Sequence, residues 1–331
     1  MFDIIAIGSA TKDIFLGAEK LKRGKDFCFP LGKKIEIKNV RFFSGGGGVN
    51  AASTFARQGL KTAFCGVIGQ DLAGQEILDE LNQKGIDVSL VKVKQKTATD
   101  LGLIFHAESE RTILLSHSAS RTLSEKDIDW SKLKETNWFY LAPLWGKAAK
   151  LTEKLLSLAK QRQVKIALNP SLDQFKLKDA PEILSRTDVL LLNDDEASQL
   201  TGVESYQEKK ILKNLCARQR LAQKQIVVIT KGKRGALAFD GKFVYQVPAP
   251  RVKVIDATGA GDSFGAGFVA GLIQANRGRL DLPRSRDIEG ALRLAMANAI
   301  ANIQIFGANQ GLLRKNQPSL KIKARKTKWS V

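Results

Sequence analysis

Short, continuous apolar runs alternate along the chain with longer segments whose apolar positions recur at helical spacing. The runs DIIAIG (Asp3–Gly8), TAFCGVIG (Thr62–Gly69), WFYLAP (Trp138–Pro143), VKIALNP (Val164–Pro170), DVLLLN (Asp188–Asn193) and QIVVITKG (Gln225–Gly232) are apolar without alternation. Strands buried on both faces require that pattern. Between them, VNAASTFARQG (Val49–Gly59), GKAAKLTEKLLSLAKQRQ (Gly146–Gln163) and EKKILKNLCARQRLA (Glu208–Ala222) read as helices. Leu151, Leu155 and Leu158 fall on one face of the second, with lysines opposite. The alternation predicts the α/β class, with a mostly parallel central sheet flanked by helices.

Two segments break the rhythm. Asp13–Ser44 contains KKIEIKNVRFF, and Thr97–Ser118 contains DLGLIFHAESERTILLSHS. Both have mixed or alternating polarity and no long helix beside them. They are expected to pair as a small sheet standing off the main one, as a lid would. This divides the chain into a core of 1–12, 45–96 and 119–331 and a β-strand lid of 13–44 and 97–118. His106 and His117 lie in the lid strands, where an isolated histidine more often packs than catalyses.

The 331 residues suit one large α/β domain with an added subdomain. Asp3 interrupts the apolar run that a secretory leader would need, and no apolar stretch is long enough for a membrane span. A cytoplasmic protein is therefore expected. Cys28, Cys65 and Cys216 form no CxxC pair, which speaks against structural zinc and fits a reducing compartment. The formal net charge of +20 is the unusual bulk property. It fits either an anionic partner or a generally basic surface. The basic residues are spread along the chain without an aromatic-interleaved RNA motif, so nucleic acid is not the expected partner.

Two glycine-rich stretches carry chemistry. In SGGGGVN (Ser44–Asn50) four glycines lead into a helix expected to begin near Val49. They would let a ligand approach the backbone, and Asn50 can donate to and accept from sugar hydroxyls. In DATGAGDSFGAGF (Asp256–Phe268) the GK-Ser/Thr ending of a P-loop is missing, and the glycines lie too late and at the wrong spacing for a dinucleotide fingerprint. What remains is the turn Gly259-Ala260-Gly261 opening a helix to about Ile273, with N–H groups placed for charge on a transferring group. Asp262 beside it could take a proton from an attacking hydroxyl. A carboxylate that only complements the helix dipole would account for Asp262 but not for the glycines before it.

These stretches, in this order, resemble the paired motifs of the ribokinase-like (pfkB) carbohydrate kinases. The first is matched by Gly45, Gly46, Gly48, Asn50, Ala52, Gly59 and Gly69. The second is matched from Asp256 to Val269, with Ala257 the one departure. NDDEASQLTG and TKGKRG stand at similar places, so the resemblance spans nearly the whole chain. It implies a ribokinase-like three-layer fold with a β-sheet lid and ATP-dependent phosphoryl transfer to a hydroxymethyl group. It further implies Asp262 as catalytic base and Gly259, Ala260 and Gly261 as anion hole. Asn193 and Glu196 would organise water and Mg²⁺ near the phosphates, while Thr230, Gly232 and Gly235 would line the nucleotide. Asp256 and Thr258 match positions that bind a monovalent cation, usually potassium, in some members.

On the acceptor side the resemblance assigns Asp13, Gly46, Gly47 and Asn50. Ribokinases carry a lysine where Gly47 stands, so a bulkier sugar or a nucleoside competes with ribose as the expected acceptor. Arg121 replaces a common asparagine and would either meet an anionic acceptor or lie on the surface. Lid sheets of similar kinases often pair, which makes a homodimer through the lid an expectation beside the monomer. A non-catalytic sugar or nucleic-acid binder is the alternative from a different class.

Overall fold

The structure is a computed structural model and describes residues 1–107, 110–178, 180–219, 225–276, 283–317 and 320–329. Glu108 and Ser109 of the expected lid strands, Arg220–Ala222 of the third expected helix, and Pro318, Ser319, Ser330 and Val331 of the basic tail lie outside the described residues.

One ten-stranded sheet organises the core. Its order is Arg325–Lys328, Phe243–Val247, Ala236–Phe239, Ile226–Thr230, Val189–Asn193, Lys165–Leu168, Trp138–Leu141, Ile4–Ile7, Thr62–Gly69 and Asp87–Lys94. From Ile226–Thr230 to Asp87–Lys94 every pairing is parallel, and the remaining strands add antiparallel at one edge. Each central strand feeds both faces. Ile4 and Ala6 pack in the cluster that includes Phe55, Phe268 and Leu292, whereas Ile5 and Ile7 join Leu155, Leu190 and Leu212 on the other side. Helices on both faces give three layers, as continuous apolar strands demand.

Two strands of this sheet, one at each edge, carry weaker sequence patterns. Asp87–Lys94 (DVSLVKVK) alternates because it is an edge strand with one face partly exposed. Arg325–Lys328 (RKTK) is exposed throughout and forms the opposite edge. Part of the basic tail thus has a structural place, since lysine-rich edges oppose further strand addition.

The small sheet has the order Lys38–Gly45, Thr11–Gly17, Asp100–Ala107, Glu110–Ser116. Within KKIEIKNVRFF only Lys38 onward is strand. Ile35 and Ile37 instead pack on the cluster of Ala18, Leu21 and Phe105. The first helix also starts earlier than its apolar pattern suggests, at Gly47 rather than near Val49. Two of the four glycines therefore belong to its first turn.

The Ala260–Ala275 helix is almost entirely buried and lies against the Ser285–Ile303 helix. The contact is close: a Cβ at Gly271 would fall 2.7 Å from the Ala291 Cα, and one at Gly267 would fall 3.1 Å from the Ala295 Cα. Gly271→Ala should therefore destabilise the protein by about 1–3 kcal/mol, the usual overpacking range. This outweighs the gain of about 1 kcal/mol in helix propensity. Urea denaturation reads the effect, and an unchanged or raised midpoint would contradict it.

Candidate active site

The turn that opens the Ala260–Ala275 helix is held from behind. The Thr258 N–H and hydroxyl donate to Asp256 Oδ1 at 2.9 and 2.6 Å, and the Gly307 N–H donates to Asp256 Oδ2 at 3.0 Å. Asn302 donates to the Ala308 carbonyl at 2.9 Å, and Asn298 to the Ser263 carbonyl at 2.8 Å. Gly259 has φ +70° and abuts the Ala308 backbone, so a side chain there meets both strain and steric conflict. Gly261 instead faces open space. The N–H groups of Gly261 and Asp262 precede the first intrahelical acceptor and point outward from the helix start. The glycines of this stretch thus divide by role. Gly259 and Gly261 shape the turn, while Gly265, against Tyr140, and Gly267 serve packing.

Asp262 meets the other glycine-rich stretch directly, since Asn50 Nδ2 donates to its Oδ2 at 2.8 Å. Gly46 makes this approach possible with φ +91°, a backbone conformation that leads the chain around the Ser9 carbonyl into the Gly47–Arg57 helix. A Cβ on Gly47 would lie 3.6 Å from Asp262 Oδ1 and 3.3 Å from Ala142 and Pro143. The other carboxylate oxygen therefore looks onto the space beside Gly47. Burial pushes the Asp262 carboxyl above the usual range, and the Asn50 hydrogen bond opposes that rise.

Asp13 comes from the Thr11–Gly17 strand of the small sheet and is 5% exposed. Its carboxylate sits in a slot made by glycines on both neighbouring strands, Gly45 and Gly102, where any Cβ would collide with it. Among the described residues it makes no hydrogen bond or ion pair. Burial, then the charges of Asp256 and Asp262, push it to about 7, with Lys12 opposing. A buried carboxylate without donors suits a ligand that brings hydroxyls. Gly102 went unnoticed in the sequence because only the strand register shows that it faces Asp13.

Next to the turn lies a cleft of about 940 Å³. Thr230, Gly232 and Gly235 line it together with Ala260 and Gly261, so the TKGKRG turn and the anion-hole candidate share one cavity. Phe264, Met296, Ala299 and Ile300 form an apolar wall suited to a flat base. That wall was hidden in the sequence, where AMANAIANI reads as ordinary helix core. Arg111, from the small sheet, also reaches this cleft.

Asn193 and Glu196 form a capping box on the Asp194–Thr201 helix: the Asn193 N–H donates to Glu196 Oε2 at 2.9 Å, and the Glu196 N–H to Asn193 Oδ1 at 2.7 Å. Arg234 ties the two turns together through Asp194 at 2.7 Å. Burial raises the Glu196 carboxyl, the Asn193 hydrogen bond lowers it, and the charges of Asp195 and Asp262 raise it again. The histidines stay outside this constellation. His106 packs beside Phe306, and His117 stacks on Trp145 and contacts the buried Asp100 at 3.2 Å. Arg121 is exposed.

The Asp13 environment has a consequence for stability. Its folded form keeps a proton up to about pH 7, whereas the unfolded chain loses it near the ordinary aspartate value of 3.8. Unfolding therefore releases a proton between those limits, and stability falls as pH rises through them. Asp13→Asn escapes this fall. Relative to wild type it should gain on the order of 2–4 kcal/mol between pH 4 and pH 8. Urea denaturation of both proteins across that range reads the gap, and a gap that does not widen with pH would contradict the assignment.

Comparison with known proteins identifies the family and the fold. Residues 1–315 match the family described as pfkB family carbohydrate kinase. A ribokinase of Haemophilus influenzae is 30% identical over 289 residues, covering 85% of this chain and 88% of its own. A cytidine kinase of Thermococcus kodakarensis is 26% identical over 314 residues, covering 93% and 98%. Among solved structures, the ribokinase of Giardia lamblia superposes with a TM-score of 0.82 at 24% identity, covering 95% of this chain and 98% of that one. The Arabidopsis thaliana ribokinase complexed with ribose and ATP gives 0.76 at 23% identity, covering 94% and 96%. The fold is theirs, and the chain belongs to the pfkB family of carbohydrate kinases.

Proposed function

We propose that this kinase transfers the γ-phosphoryl group of ATP to a hydroxymethyl group of a sugar, with Asp262 as general base. The observation that carries the reading is the junction of the two glycine-rich stretches. The Asn50 hydrogen bond holds one Asp262 oxygen and leaves Oδ1 facing an acceptor space, within reach of the free N–H groups at the Gly259–Gly261 turn. Asp13 and Asn50, with the backbone at Gly46 and Gly47, hold the acceptor. As its hydroxyl oxygen bonds to the γ-phosphorus, its proton passes to Asp262 Oδ1 and the bond to ADP breaks. The turn N–H groups stabilise the charge on the phosphoryl oxygens.

The nucleotide occupies the cleft lined by Thr230, Gly232 and Gly235. The residues near the phosphates fit Mg²⁺: Glu196 is a half-buried carboxylate beside another acid, and one of its oxygens is not used in the capping box. Asn193 and Glu196 would hold the water shell of the ion, which supplies charge neutralisation to the phosphates. A monovalent cation such as K⁺ fits Asp256 and Thr258. Asp256 is 7% exposed, and among the described residues three neutral donors and no cationic side chain meet it. The small sheet within residues 13–44 and 97–118 acts as a lid, excluding water as a competing acceptor. Its exposed Phe42, Leu114 and Leu115 offer a surface for a homodimer.

A nucleoside acceptor is the second reading. It is favoured by the space that Gly47 leaves beside Ala142 and Pro143 and by the similarity to a cytidine kinase. ATP consumption across a panel of sugars and nucleosides decides between them. Asp262→Asn should lower kcat by about 10²–10⁴-fold, the usual contribution of a general base, with KM for ATP nearly unchanged. Near-wild-type turnover in that variant would overturn the assignment. If no acceptor supports Asp262-dependent turnover, the protein is a binder on this fold.

A further inference from the structure

Behind Asn50 a chain of polar side chains runs away from the acceptor space to the far side of the first helix. Asn309, 1% exposed, donates through Nδ2 to the Asn50 Oδ1 and to the Ser44 carbonyl, both at 2.9 Å. Its Oδ1 accepts from Lys84 Nζ at 2.9 Å and from Gln310 Nε2 at 3.1 Å. Lys84, at the C-terminal cap of the Leu72–Gln83 helix, is itself held by Glu80 at 2.6 Å and Ser53 at 3.3 Å. The sequence brings these groups from four distant places and gives no local sign that they meet.

The direction of every bond in this chain is dictated by chemistry. An ammonium group only donates and a backbone carbonyl only accepts. Lys84 therefore requires the amide oxygen of Asn309, and the Ser44 carbonyl requires its amide nitrogen. The nitrogen of Asn309 then requires the oxygen of Asn50, and that leaves Asn50 with only its nitrogen for Asp262. A flipped Asn50 would present its oxygen to Asp262, and that contact is favourable only with a protonated carboxyl, which is useless as a base.

We propose that Lys84 and Asn309 are positioning residues that fix the polarity of Asn50 and so keep Asp262 in its proton-accepting form with Oδ1 toward the acceptor. The role of Asp262 as base is taken from the function proposed above. The groups facing Asp262 make the relay consequential. Asp13 from the small sheet, Glu196 from the Asp194–Thr201 helix and the Tyr140 phenol from its strand all interact with its charge, and Asp256 acts on Asp13. None of these is cationic. The Asn50 hydrogen bond is the influence that favours the charged carboxylate against burial.

The test is a titration of the full-length protein labelled with ¹³C at aspartate carboxyls, the Asp262 signal being assigned with Asp262→Asn. In Asn309→Leu the Asp262 midpoint should rise by about one pH unit, the worth of one hydrogen bond to a charged group. Lys84→Met should give a smaller rise, because the Ser44 carbonyl still orients Asn309. Arg57→Met, which removes a cation lining the same cavity as Lys84, should give none. In turnover, kcat of Asn309→Leu near neutral pH should fall on the order of tenfold. The acidic limb of its pH profile should move upward with the titration. A folded Asn309→Leu protein that titrates like wild type overturns the relay, as does an Arg57→Met shift equal to that of Lys84→Met. If Asn309→Leu does not fold, Lys84→Met decides on the same terms. The titration needs no acceptor, so wild type without turnover would count against the kinase reading while the relay is still decided.

Discussion

The site depends on one hydrogen bond, from Asn50 to Asp262, between residues 212 positions apart. Each partner opens a helix from a glycine-rich turn, and at Gly47 the first turn leaves room for the Asp262 carboxylate of the second. Gly46 needs its positive φ to bring the Gly47–Arg57 helix against the first strand, and Gly259 needs its own to set the Ala260–Ala275 helix beneath Ala308. Once the two helix starts face each other, the free N–H groups of the second, one carboxylate and one amide surround a single space, while the first N–H groups of the Gly47–Arg57 helix are taken up by Ser9. The tight packing of Gly267 and Gly271 on Ala295 and Ala291 fixes the second helix in that position.

Electrostatics then give this space its purpose. Asp13, Asp256, Asp262 and Glu196 are gathered near one another, and among the described residues no cationic side chain hydrogen-bonds to any of them. Burial raises three of the four, and the charge of Asp262 adds to the rise at Asp13 and Glu196. On the function proposed above, such a cluster would be relieved by what a phosphoryl-transfer reaction brings: hydroxyl donors for Asp13, a metal-bound water shell for Glu196 and a proton for Asp262. The chain meanwhile carries a net charge of +20, a field that draws in an anionic nucleotide. Acidic centre and basic exterior are complementary rather than contradictory.

Much of this was legible in the sequence because it is written locally. Continuous apolar runs marked the central strands, and the glycine runs around Asn50 and Asp262 marked the two stretches that meet in the candidate site. Legibility failed where a residue owes its role to a distant neighbour. Gly102 matters only through its register with Asp13. Asn309 and Lys84 matter only through a chain of contacts that crosses the molecule. Asp87–Lys94 and Arg325–Lys328 were obscured because edge strands have one partner and tolerate charge. The start of the first helix was misplaced because glycine carries no helical pattern, although Gly47 and Gly48 are helical here.

The central claim is geometric: the acceptor hydroxyl gives its proton to Asp262 Oδ1 while the Gly259–Gly261 turn holds the transferring phosphoryl group. A crystal structure with an unreactive ATP analogue and the acceptor identified by turnover tests it most directly. The account predicts a primary hydroxyl within hydrogen-bond reach, about 2.6–3.2 Å, of Asp262 Oδ1. It also predicts γ-phosphate oxygens on the N–H groups of the turn and an Asn50–Asp262 bond that is preserved. A hydroxyl seated on another base, or a γ-phosphate away from the turn, would contradict it.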